Sequence, residues 1–255
     1  MRNRLLALGT VAALMMVLSP GTAEASHSWG GYHWARTSNP FTIKLGNNVS
    51  AVWAASLSTA SSDWTKSSVL DTTIVAGGTR PRICKATTGR VEVCNARYGN
   101  TGWLGIASIS ITGGTHITKG FVKLNDTYFD TAQYNTTAWR NLVMCQEIGH
   151  TFGLDHQDEN FTNANLGTCM DYTNNPGTNQ HPNAHDYAQL ESIYSHLDST
   201  STVGGGGGGP KGKPRAGKDA SAWGKRVDGS RASGHSTYVR NLGGGNLVIS
   251  FVTWA

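Results

Sequence analysis

A chain of 255 residues, 15% of them charged, is long enough for one domain of ordinary size plus a tail. Its net charge of +5 is unevenly spread: Lys211 to Ala255 hold 8 Lys/Arg against 2 Asp/Glu, whereas Ser26 to Pro210 hold 11 against 13. The basic character therefore belongs to the tail, which leaves no basis for a nucleic-acid-binding body.

At the start, Arg2 and Arg4 precede an apolar run from Leu5 to Leu18, and Ala23-Glu24-Ala25 supplies a small-x-small cleavage site. This is the layout of a secretory signal peptide over residues 1–25, and it predicts a secreted, extracellular chain. The run falls short of the roughly 20 apolar residues that span a bilayer, so no integral membrane segment is expected. Four cysteines in an exported chain read as two disulfides with three possible connectivities. Cys84 and Cys94 bracket a short β-rich segment with a Thr-Gly turn, which suits a clip across a hairpin and pairs Cys145 with Cys169. Thiolate ligation of zinc lacks the C-x-x-C spacing it would need.

Phe41 to Leu45 alternates as a first strand. Trp53, Leu57, Ala60 and Trp64 then mark one face of a helix. Val69 to Val75 is a second strand and Leu104 to Ile111 a third, ended by Gly113-Gly114. In His116 to Asn125, Lys119 and Lys123 fall on one side, the usual protection of an edge strand. Thr136 or Thr137 can cap a helix running to about Gly153. That helix is apolar on more than one side, which predicts a central, buried position and makes its polar residues Gln146, Glu147 and His150 costly unless paired or metal-bound. An Asn-, Gly- and Thr-rich stretch follows to about Pro182, long enough to suggest function. Tyr187, Leu190, Tyr194 and Leu197 mark a last amphipathic helix. Residues 204–218 form a Gly-rich and then basic linker. Residues 219–255 form a small appendage of three β-like runs, too short to bury a core alone, that must dock on the body or order on a partner.

The chemistry concentrates in Leu142 to His156, LVMCQEIGHTFGLDH. Gln146 and His150 stand four apart and so share a helical face, with Glu147 beside them. Gly153 can end the helix in a left-handed turn that returns the chain toward that face, and His156 follows. This is H-E-x-x-H-x-x-G-x-x-H with Gln in place of the first His. Met170, fourteen residues after His156, stands in the run Cys169-Met170-Asp171-Tyr172.

With these motifs the chain resembles the metzincin clan of zinc metallopeptidases from about Phe41 to Leu197, and it resembles gametolysin-like members in the Gln. The resemblance implies an α+β fold with a twisted, mostly parallel sheet and an antiparallel edge strand. It also implies an active-site helix, an irregular lower lobe with a Met-turn at Met170, and a C-terminal helix, all within residues 26–203. It implies one catalytic Zn²⁺ on Gln146, His150 and His156, with Glu147 as general base and acid and Tyr172 as donor to the oxyanion. The substrate would be a protein or peptide, laid as an added strand along His116 to Asn125. A neutral amide ligand is weaker than imidazole and predicts lower zinc affinity. Asp155 stands one residue short of the third-ligand position. His181 and His185 read as helix-end residues, and His27 and His33 carry no spacing signal. The alternative is a catalytically lapsed member that keeps the cleft and binds peptides or surfaces. The basic tail offers a hold on anionic cell-envelope polymers, against the plainer reading of a solvated linker with a docked strand.

Overall fold

The computed structural model describes residues 26–205 and 222–255; the expected signal segment and most of the expected linker lie outside them. The polypeptide is mixed α+β. Strand β1 is His33–Trp34 and β2 is Phe41–Asn48; helix α1, Ala51–Trp64, leads to β3, Leu70–Ala76. Strands β4, β5 and β6 are Val91–Ala96, Trp103–Thr112 and His116–Asn125, and the short helix α2 is Asp126–Phe129. Helices α3, Thr137–His150, and α4, Ala184–Ile193, complete the body, and the appendage supplies β7, Lys225–Ser230, β8, His235–Gly243, and β9, Asn246–Trp254.

All nine strands belong to one sheet, ordered β3-β2-β4-β6-β5-β9-β8-β7, with β1 beside the start of β6. Strands β1, β2, β3, β4 and β6 pair in parallel. A parallel pair needs a crossover, and α1 provides it between β2 and β3. The α1 stripe is as the spacing predicts: Trp53, Leu57, Ala60 and Trp64 are all at most 2% exposed. Helix α3 packs against α1, with the Trp64 indole donating to the Cys145 carbonyl at 3.2 Å.

Four expectations are corrected. Strand β6 is not an edge: β4 flanks it in parallel and β5 antiparallel. Its Lys123 is inside, 3% exposed, with the ammonium over the Phe121 ring at 5.0 Å and the Tyr98 ring at 5.6 Å. The antiparallel strand next to the active-site helix is β5, and it is not an edge either, because β9 pairs along its outer side. Cys84 and Cys94 are bridged, as are Cys145 and Cys169, but the first bridge ties a turn to β4 and does not cross a hairpin. Finally, α4 ends at Ile193 and leaves Leu197 58% exposed. The appendage docks on the body. No helix among the described residues is long and apolar enough to cross a membrane.

Candidate active site

Helix α3 begins at Thr136, whose side chain accepts from the Trp139 amide, and every residue from Leu142 to His150 is buried. Three residues on, Gly153 has φ +96°, and a Cβ there would lie 2.0 Å from the Tyr32 carbonyl oxygen. Only glycine permits that turn, which brings His156 back to the helix. The Nε2 atoms of His150 and His156 face each other at 3.0 Å. His150 is oriented by its Nδ1, 2.9 Å from the Leu154 carbonyl. Burial, and then His156, push the His150 imidazole down to about 3, so it is neutral, as a metal ligand must be.

Tyr172 Oη lies 2.7 Å from His156 Nε2, and the phenol is buried, which raises its pKa well above the ordinary value. Met170 is fully buried in the core beneath. Asp155 lies beside His156, its Oδ1 3.4 Å from His156 Nδ1, where it orients the ring. Glu159 sits on the same side, 3.7 Å from that nitrogen. His181 pairs with Asp63 and His185 stacks on His27, so both serve the packing around α4.

Glu147 is fully buried. Its Oε1 accepts from the Thr253 hydroxyl at 2.8 Å, and its Oε2 has no hydrogen-bond partner. Burial pushes the carboxyl up to about 8, partly offset by the Thr253 hydroxyl and the Ala107 amide. Gln146 Oε1 lies 3.0 Å from the same hydroxyl. An unpartnered, buried carboxylate oxygen is costly unless a water or cation meets it. Two lone-pair nitrogens at 3.0 Å match the edge of about 3.3 Å that a tetrahedral zinc with bonds near 2.0–2.1 Å would require. The two imidazoles therefore fit a divalent ion, while Gln146 Oε1 is turned to the Thr253 hydroxyl.

The appendage contributes what the sequence did not announce. Phe251 of β9 stacks on the His150 ring at 4.4 Å and 4°. Two residues later on the same strand face, Thr253 bridges Gln146 and Glu147. His235 of β8 stacks on Tyr172, and its Nε2 lies 3.2 Å from Glu159 and 3.4 Å from Asp228. Beside Gln146 opens a cavity of about 310 Å³, walled by Trp139, Leu142, Val143 and Tyr172 and closed by Trp254 and Ala255. Alternating Val, Phe and Thr in β9 reads as a strand; nothing in it signals a site.

No protein-family model matches the chain, and no curated protein matches it. Two solved structures of myroilysin are similar to it. One is 13% identical with a TM-score of 0.38, covering 63% of this chain and 82% of that one. The other is 12% identical with a TM-score of 0.36, covering 69% and 97%. At that level of likeness, the functional reading rests on the chain's own residues.

Proposed function

We propose that this chain is a secreted zinc-dependent endopeptidase whose cleft, in the form described, is filled by its own C-terminal strand. The observation that carries the reading is the pair of imidazoles, His150 and His156, facing at 3.0 Å beside an unpartnered Glu147 carboxylate oxygen. Gln146, His150 and His156 would hold Zn²⁺, which supplies Lewis acidity to the attacking water and the scissile carbonyl. Glu147 takes the proton of that water and returns it to the leaving amine. Its raised pKa suits the second task, and a cation alongside favours the charged form needed for the first. Tyr172, with its hydroxyl next to His156, donates to the oxyanion.

A substrate strand does not fit along β6, which is paired on both sides. It fits along the outer side of β5, where β9 now lies with Gly105 opposite Thr253 and Ala107 opposite Phe251. The cavity beside Gln146, walled by Leu142, Val143 and Trp139, would take an apolar substrate side chain.

The test compares zinc content and casein cleavage for the chain and for Glu147→Gln, each with and without the paired substitution Phe251→Ala/Thr253→Ala that loosens β9. Expected is zinc in all four and cleavage only where Glu147 is present, strongest with β9 loosened. A zinc-loaded, loosened chain no faster than its Glu147→Gln counterpart would leave the lapsed, peptide-binding alternative, which the occupied strand groove also accommodates.

A further inference from the structure

A second cluster of metal-ligating side chains lies outside the cleft and shares no residue with it. The parallel register of β1 on β6 sets His33 opposite His116. The segment after α4 brings His196 and Asp198 to the same place. His33 Nε2 lies 3.2 Å from His196 Nε2 and 3.5 Å from Asp198 Oδ1. His196 Nε2 is 3.9 Å from that Oδ1, and His116 Nε2 is 3.2 Å from it. The ligand atoms of His33, His196 and Asp198 all fall within 4.8 Å of one another, and His116, outside that group, reaches its Asp198 oxygen.

The surroundings prepare these atoms for a cation. His33 Nδ1 lies 2.8 Å from the Gly31 carbonyl and donates to it, which leaves the lone pair on Nε2. The other oxygen of Asp198 accepts from the Arg36 amide at 3.1 Å and its guanidinium at 2.9 Å, so Oδ1 is the atom turned toward the imidazoles. Ligating groups with their second atoms fixed in this way are the usual outer frame of a metal site. The His196 side chain is 49% exposed and that of His116 32%, so an ion can enter from solvent.

We propose that His33, His116, His196 and Asp198 form a structural zinc site that ties the N-terminal arm and the start of β6 to the segment following α4. Three imidazole nitrogens and one carboxylate oxygen suit zinc; calcium and magnesium would call for oxygens. The spacings among His33, His196 and Asp198, 3.2 to 3.9 Å, bracket the edge of about 3.3 Å for a zinc tetrahedron, and His116 would complete it from the Asp198 side. With His116 turned in as the fourth ligand, the coordination sphere would be closed, and the ion would stabilise and not catalyse. The ligands come from three distant segments, and no short motif betrays them.

The full chain, stripped with a chelator and then dialysed against zinc, is compared with His196→Ala and His116→Ala, two partly exposed positions. The readouts are bound zinc per chain and the thermal midpoint with and without zinc. Each variant is expected to hold one equivalent fewer than the wild type and to lose most of the zinc-dependent rise in midpoint. The site is independent of the peptidase reading. If both hold, the wild type carries two equivalents and His196→Ala one; if the cleft binds none, the counts are one and zero. Equal zinc and equal midpoints in the wild type and His196→Ala would overturn the site and leave a hydrogen-bonded imidazole–carboxylate cluster.

Discussion

Glu147 owes its position partly to a residue without a side chain. A Cβ on Gly105 in β5 would lie 2.4 Å from Glu147 Oε1 and 2.7 Å from Val143 Cγ1. Both neighbours are packed in the buried half of α3, so neither can yield without a cost. Gly105→Ala is therefore expected to swing the carboxylate out of line. It should lower kcat on the order of tenfold or more with KM little changed, and cost about 1–3 kcal/mol of stability. Steady-state cleavage and urea unfolding measure the two effects, and an unchanged kcat would show that Glu147 does not need this approach. Away from the cleft, Glu92 is a fully buried carboxylate. Burial raises its pKa, but hydrogen bonds from Thr87, Asn48, Gly78 and Arg90 outweigh that and hold it below 4.5. A depressed folded-state value means that its contribution is fully present above about 4.5 and is lost as pH falls through the folded value. Glu92→Gln should lower stability at neutral pH and flatten the acid limb; unfolding midpoints followed from pH 7 to pH 3 test this, and an acid limb as steep as before would refute it.

At the scale of elements, local rules of helix construction placed α1 and α3 well. Thr136 caps α3 through the Trp139 amide, and removing that acceptor by Thr136→Ala should cost about 1 kcal/mol, read from thermal or denaturant melts. The buried stripe of α1 and the turn at Gly153 were legible for the same reason: each depends on residues within a few positions of one another. Strand neighbours were not. Alternation shows which side chains share a face, not which strand lies alongside, so β6 passed for an edge when its lysine was turned inward over two aromatic rings. The same holds for the candidate site. Gln146, Glu147, His150 and His156 lie within eleven residues, and the fold brings the two imidazoles together as their spacing implies. Thr253 and Phe251 reach that site from about a hundred positions away through the pairing of β9 with β5, which no local pattern records.

On the scale of the whole molecule, the appendage is a strand added to the cleft and held there from both sides. Main-chain pairing on β5, the Phe251 ring on His150 and the Thr253 hydroxyl on Glu147 fix one side, and His235 against Glu159 and Tyr172 fixes the other. A peptide can add to β5 only when β9 leaves, so cleavage should scale with the fraction of chains in which it has left. Truncating a buried phenyl costs about 3–5 kcal/mol, and each 1.4 kcal/mol is about a tenfold change in such an equilibrium. Phe251→Ala with Thr253→Ala is therefore expected to raise peptide cleavage on the order of tenfold or more, while hydrogen exchange increases along β5 and β9 together. A synthetic peptide spanning Asn246 to Ala255 should then inhibit the loosened chain competitively and return the exchange of β5 toward that of the wild type. If cleavage instead falls with the loss of β9, the appendage is part of the catalytic fold, because the outer side of β5 then needs its own strand to hold Glu147 in place.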